Sequence, residues 1–307
     1  MLSGEKMKSH GKLKAAAVLV LIVAVMMAFT ACGSSSKSSS GSSGSSSSSK
    51  ISASGSSALQ PLAKQAADDY MKDHSGVSIT VSGGGSGTGL KQVSEGSVDI
   101  GNSDVEASEK LDKDAASKLK DHKVALVTVA PVVNSKLGVK NLTTKQLIGI
   151  FTGQITNWKE VGGPDLKIML VTRPDSSGTR ALFKQYAMQG KEEASKSALE
   201  TDDSGTLMET VEKNKGAIGY VALSYLTDTK DAVAVSIDGV APTLENTYNG
   251  KYNVWGYEHM YTKGDGSKTA QQFIKFLSGK SYVKEVEKMG YGAISKLTDE
   301  AAKNHDK

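Results

Sequence analysis

One pattern constrains this chain more than any other, and it recurs three times: a β-rich stretch, a loop of Gly, Ser and Thr, then an amphipathic segment at helical spacing. Ala53-Ser54-Gly55-Ser56-Ser57-Ala58 leads into Leu59, Leu62, Ala63, Ala66 and Tyr70, with Pro61 acceptable in a first turn. Ser82-Gly83-Gly84-Gly85-Ser86-Gly87-Thr88-Gly89 separates an alternating strand at 77–81 from a helix predicted over 90–94. Asp175-Ser176-Ser177-Gly178-Thr179 follows a strand predicted over 167–172 and opens a helix predicted over 179–188. Strands are further expected at 98–100 and 124–133, and helices at 144–151 and around Ala270, Phe273, Ile274 and Leu277. This alternation argues for the α/β class. In such folds strand-to-helix loops gather at the carboxyl ends of strands, where ligands bind.

Each loop would aim free N–H groups, hydroxyls and the positive end of a helix dipole at one point, the makings of an anion site. Helix capping by Ser or Thr explains any single loop; it is the recurrence that points to an anion. A fourth look-alike, Asp203-Ser204-Gly205-Thr206, carries Glu209 three residues after Thr206 and reads as a structural capping box. The chain has only two arginines, Arg173 and Arg180, and both flank the third loop. A guanidinium offers a planar fork to two oxygens of one oxyanion, which an ammonium cannot match. Arg173 is the expected anchor, with Asp175 its candidate partner. Arg180 opposes the dipole of its own helix and reads as surface or ion-paired.

Asp104, at the exit of Val98-Asp99-Ile100-Gly101-Asn102-Ser103, is the odd member. A carboxylate only accepts hydrogen bonds, so beside a dianion it repels any ligand that carries no proton. Monohydrogen phosphate has a P–OH to donate and sulfate at neutral pH has none, so Asp104 would penalise sulfate. A helix cap or a solvated loop residue is the alternative reading of the same position.

The leader stands apart from this body. Lys8, Lys12 and Lys14 precede an apolar run of 14 residues, 15–28, shorter than the ~20 a spanning helix needs. A basic start, a short apolar stretch and small residues at its end describe a secretory signal over 1–31, with Met1 or Met7 as the start. Cys32 is the only cysteine, which excludes an internal disulfide. Phe29-Thr30-Ala31-Cys32 resembles a bacterial lipobox, which implies a lipid on Cys32 and anchorage outside the cell membrane. Residues 32–50, nearly all Ser and Gly after Cys32, read as a flexible tether. The net charge of +4 divides into +3 over 1–31 and +1 over the remainder, so the body lacks the basic footprint of a nucleic-acid binder.

Enzymatic readings find little support. The body offers His74, His122, His259 and His305 as bases, and spacing links none to Ser57 or Ser86. There is no G-x-S-x-G, H-E-x-x-H or P-loop, and no cysteine-based metal site, so no cofactor is implied.

Ser54-Gly55-Ser56-Ser57-Ala58-Leu59-Gln60-Pro61-Leu62, the loop over 83–89, Asp99-Ile100-Gly101-Asn102-Ser103-Asp104 and Arg173-Pro174-Asp175-Ser176-Ser177-Gly178-Thr179 occur in that order. Together they resemble the phosphate-binding lipoproteins of Pst-type ABC importers, over essentially all of 51–307. The resemblance extends to Ile155-Thr156-Asn157-Trp158-Lys159 and Gly216-Ala217-Ile218-Gly219-Tyr220. It implies a type II periplasmic-binding-protein fold, with two α/β lobes joined by two hinge crossings. Lobe I would be 51–130 plus 256–307 and lobe II 131–255, with crossings near 128–131 and 252–257. It implies phosphate held by Ser57 (or its neighbour Ser56), the Ala58 N–H, Ser86, Asp104, Arg173, Ser177, the Gly178 N–H and Thr179. A permease and an ATPase are the implied partners. A phosphate-sensing or adhesive surface lipoprotein on the same fold, or a serine-dependent phosphatase, are the rival readings.

Overall fold

The protein is described by a computed structural model covering residues 49–305. Its strands are β1 (Ser49–Gly55), β2 (Val77–Ser82), β3 (Ile100–Ser103), β4 (Leu119–Asn134), β5 (Asn141–Leu142), β6 (Met169–Thr172), β7 (Leu199–Glu200) and β8 (Ala217–Ala222). β9 (Ala232–Ala234), β10 (Ser236–Ile237) and β11 (Trp255–Lys263) complete them. The helices that matter here are α1 (Gln60–Asp73), α2 (Ser86–Glu95), α3 (Lys113–Ala116), α4 (Thr144–Phe151), α5 (Gly178–Leu182) and α6 (Ser204–Lys213). They are followed by α7 (Leu244–Tyr248), α8 (Lys268–Leu277), α9 (Val283–Lys288) and α10 (Asp299–His305). Among the described residues no helix is long and apolar enough to cross a membrane.

The main sheet runs β2-β1-β3-β11-β4-β8-β6-β7, with β9 on β4. β4 is the pivot of this order. Over Leu119–Thr128 it pairs antiparallel with β11, and over Val129–Val133 antiparallel with β8. On one side β1, β2 and β3 are mutually parallel; on the other, β6 is parallel to both β7 and β8. Each half has its own core. Leu59, Leu62, Ala66 and Tyr70 of the first helical segment meet Phe273, Ile274 and Leu277 of α8. In the other half Leu147, Ile150, Phe151, Trp158, Phe183 and Tyr220 pack together. Each Leu, Ile or Phe among them, fully buried, contributes about 1.5–3 kcal/mol of transfer free energy.

Several elements start elsewhere than periodicity predicts. β1 begins at Ser49, inside the stretch read as tether, because Ser49 N donates to Gly76 O at 2.8 Å and the strand pairs with β2 from that residue. The strand expected at 98–100 begins only at Ile100. Asp99 turns its carboxylate onto Ser52, accepting from its N at 2.8 Å and its Oγ at 2.9 Å, which takes the place of a ladder bond. α2 starts four residues before the predicted helix, within the Gly/Ser/Thr loop itself. The helix expected over 179–188 is α5 followed by a π turn, Phe183–Ala187, closed by Met188 N on Phe183 O at 3.0 Å.

Candidate functional site

β1, β2, β3, β6 and β7 all end at one region, and the loops that follow them meet there. In the first loop the two serines divide their labour. Ser56 Oγ accepts from Leu59 N at 3.0 Å and so serves the start of α1. Ser57 Oγ turns toward the opposite half, donating to Asp202 O at 2.6 Å and lying 3.0 Å from Ser204 Oγ. Ala58 is fully buried beside it, and Tyr225 Oη donates across to Ser57 O at 2.7 Å.

The second loop, Asp104 and the third loop form a continuous buried cluster. Ser86 Oγ accepts from Asp104 N at 3.0 Å. Thr179 Oγ1 donates to Asp104 Oδ2 at 2.6 Å. Gly87 N donates to Ser176 O at 2.9 Å, binding the second loop to the third. Ser177 caps α5, its Oγ accepting from Arg180 N at 3.3 Å. A Cβ on Gly178 would collide with Ser86 Oγ and stand 3.0 Å from Asp104 Cβ, so only glycine permits this approach. Ser86, Asp104, Ser177 and Thr179 are all buried, and Asp104 Oδ1 has no hydrogen-bond partner among the described residues.

Arg173 is fully buried. Its Nε and Nη2 donate to Tyr220 O at 3.3 and 3.2 Å, its Nη1 to Asp202 O at 3.2 Å, and its Nη2 also to Ser204 Oγ at 2.9 Å. Tyr220 is a firm platform because its ring stacks on Phe183 at 4.0 Å. The guanidinium also lies over the Tyr220 ring, 5.5 Å from its centre.

Two readings from the sequence need correction. Asp175 is not the partner of Arg173: its exposed carboxylate pairs with Arg180 at 3.1 Å, while Arg173 turns inward and has Asp202 as its nearest acid, at 3.9 Å. Arg180 is indeed ion-paired, with Glu192 and Glu193 as well as Asp175. The fourth loop caps a helix as expected, but through a different residue. Asp203, rather than Thr206, caps α6 by accepting from Thr206 N at 2.6 Å, and this frees Ser204 to face Arg173 and Ser57. Asp202, Ser204, Tyr220 and the buried Glu258 were not singled out from sequence. A signal for the first two existed: Asp202-Asp203-Ser204-Gly205-Thr206 repeats the Asp-x-Ser-Gly-Thr of the third loop.

Charge in this region is shaped by burial. Asp202 is pushed above the ordinary carboxylate value, chiefly by desolvation, although hydrogen bonds from Ser177 and Ser176 and the charge of Arg173 oppose the rise. Lys110 is pushed down by desolvation. Its ammonium donates to Asp175 O at 2.7 Å and Ser177 O at 3.3 Å, joining the segment after β3 to the third loop. Among the described residues no group of three or more His, Cys, Asp or Glu could hold a metal ion.

Two sets of strand ends facing one buried cluster of hydroxyls, a guanidinium and an acid define a substrate-binding protein of the periplasmic-binding-protein fold, and residues 40–280 match the PBP superfamily domain. The phosphate-binding protein PstS of Bacillus subtilis (strain 168) is 45% identical over 274 residues, covering 88% of this chain and 90% of that protein. The chain belongs to this PstS family of phosphate-binding proteins. A Clostridium perfringens structure with bound phosphate, described as a phosphate ABC transporter substrate-binding protein, is 32% identical with a TM-score of 0.72, covering 79% of this chain and 98% of that one. An ABC-type phosphate transport receptor from Vibrio cholerae is 31% identical with a TM-score of 0.61, covering 79% and 99%.

Proposed function

We propose that this chain binds inorganic phosphate, as the monohydrogen dianion, in a cleft between two lobes and delivers it to an ABC permease and its ATPase for import. The observation that carries the reading is Asp104, buried between Ser86, Gly178 and Thr179 with one oxygen held by Thr179 and the other open. An acceptor in that place suits a ligand that still bears a proton. Ser86, Ser177 and the Ala58, Gly178 and Thr179 amides would grip the oxygens, joined by Ser57 when its hydroxyl turns from Asp202 O to the ligand, and Arg173 would supply the compensating charge.

The lobes would be 51–130 plus 256–307, and 131–255. This division is supported by β4, which changes partner after Thr128, and by the return segment beside it, where Val129 N donates to Val254 O at 2.9 Å. Closure around the ligand would be a hinge motion at these two crossings. Binding rather than turnover is favoured because Ser57 Oγ is engaged by a carbonyl and a hydroxyl, and among the described residues no imidazole is hydrogen-bonded to it. The leader 1–31, the lipid on Cys32 and most of the tether lie outside the described residues; they belong to the proposal as anchorage to the outer face of the cell membrane. Calorimetry on protein stripped of bound phosphate tests the reading. Phosphate should bind tightly in excess sulfate, and equal competition by sulfate would remove the role given to Asp104.

A further inference from the structure

Glu258 is fully buried in β11, and neither of its carboxyl oxygens finds a hydrogen-bond donor among the described residues. The register of β11 on β3 explains what it faces. His259 lies opposite Ser103 and Met260 opposite Asn102 in an antiparallel pair, and Glu258 and Asp104 are the residues that follow at the end of this ladder. Residues that face each other across a ladder share a face of the sheet, and the charge of Asp104 bears on Glu258 there. The side chains of His259 and Lys123 lie on the other face, because the register of β11 on β4 shifts between Glu258 and His259 and pairs His259 with Lys123. There His259 Nδ1 pairs with Asp121 at 2.7 Å, and Lys123 sits over the Tyr257 ring at 3.8 Å. On the other flank Glu258 faces Ala125 of β4. The neighbouring phenol, Tyr291, gives its hydrogen to Ala58 O at 2.5 Å.

Two carboxylates side by side in a dry interior cannot both ionise, and the group that accepts hydrogen bonds keeps the charge. Asp104 accepts one from Thr179 at 2.6 Å; Glu258 accepts none. We propose that Glu258 is a positioning residue held as the neutral acid, whose O–H donates to the open oxygen of Asp104 and so fixes Asp104 as an acceptor. This rests on the reading of Asp104 as the group that receives the ligand proton. Burial and the Asp104 charge push Glu258 well above the ordinary carboxylate range. Each carboxylate oxygen has two lone-pair sites, so Asp104 keeps room for the ligand hydroxyl after both internal donors are served. Without the Glu258 donor the open oxygen of Asp104 loses the partner that fixes it, and discrimination between the two oxyanions would fall.

The test pairs infrared difference spectroscopy with binding. Ligand-free wild type minus E258Q at neutral pH should show the carbonyl stretch of a protonated, buried carboxylic acid. Glu258→Gln keeps an N–H donor toward Asp104 and Glu258→Leu does not, so E258L should bind phosphate roughly tenfold or more weakly than E258Q. E258L should also be the more open to sulfate competition. Absence of the acid band, or equal phosphate affinity of the two variants, overturns the proposal. The band needs no ligand, so it decides the state of Glu258 even if E258L fails to fold. Wild-type protein that shows the band but binds no phosphate would sink the functional reading instead.

Discussion

Arg173→Lys isolates what a planar fork does that a point charge cannot. Three nitrogens of Arg173 serve three acceptors, two of them buried, with Nε and Nη2 both on Tyr220 O, Nη1 on the half-buried Asp202 O, and Nη2 also on Ser204 Oγ. Lysine keeps the charge but brings one nitrogen on a flexible stem, so at least one of these acceptors loses its donor. A buried polar group left alone costs about 1–3 kcal/mol, and the stability of the variant in urea should fall by that amount. For the ligand, losing one hydrogen bond between charged groups is worth about 1.5–3 kcal/mol, which is roughly 10–150-fold in affinity. Calorimetry with phosphate-free protein reads the second effect and equilibrium unfolding the first. An unchanged urea midpoint together with affinity within about twofold of wild type would show that neither fork geometry nor the Tyr220 carbonyl matters.

Two further outcomes follow from contacts away from the ligand shell. Lys110→Met removes a half-buried ammonium from Asp175 O and Ser177 O; phosphate affinity should fall roughly three- to tenfold, mainly through faster release measured by stopped flow. Asp69 is held at about 2 by hydrogen bonds from Lys72, Gln65 and Tyr282, below its ordinary 3.8. Its stabilising effect is therefore present above the unfolded value and lost as pH falls through about 2. Asp69→Asn should lower the melting temperature at neutral pH, with the gap to wild type closing toward pH 2. A constant gap across that range would refute the assignment.

The three loops were legible because hydroxyl-rich, glycine-bearing turns between apolar periodic segments can serve few purposes, and the rarity of arginine drew the eye to Arg173. Proximity in sequence favours Asp175 as the partner of Arg173, yet the chain turns at Pro174 and sends that carboxylate to solvent while Asp202 arrives from after β7. Capping accounts for the loop of Ser204 in sequence; in the structure Asp203 does the capping and Ser204 meets Arg173. Glu258 carried no local signal at all: an acid in an alternating strand reads as solvent-facing until the strand is known to lie between β3 and β4. Periodicity places the start of α2 too late because glycine lowers intrinsic propensity there, while the packing of α2 against β1 and β3 outweighs that cost.

The place of β11 has a consequence for how the molecule comes into being. It is the last strand made, yet it fills the gap between β3 and β4. Until it emerges, the earlier three strands have an open edge and cannot join the rest of the sheet. Contacts of such long sequence separation slow folding. A polypeptide with this strand order cannot close its main sheet before β11 has been made, however early the strands on either side of it are complete.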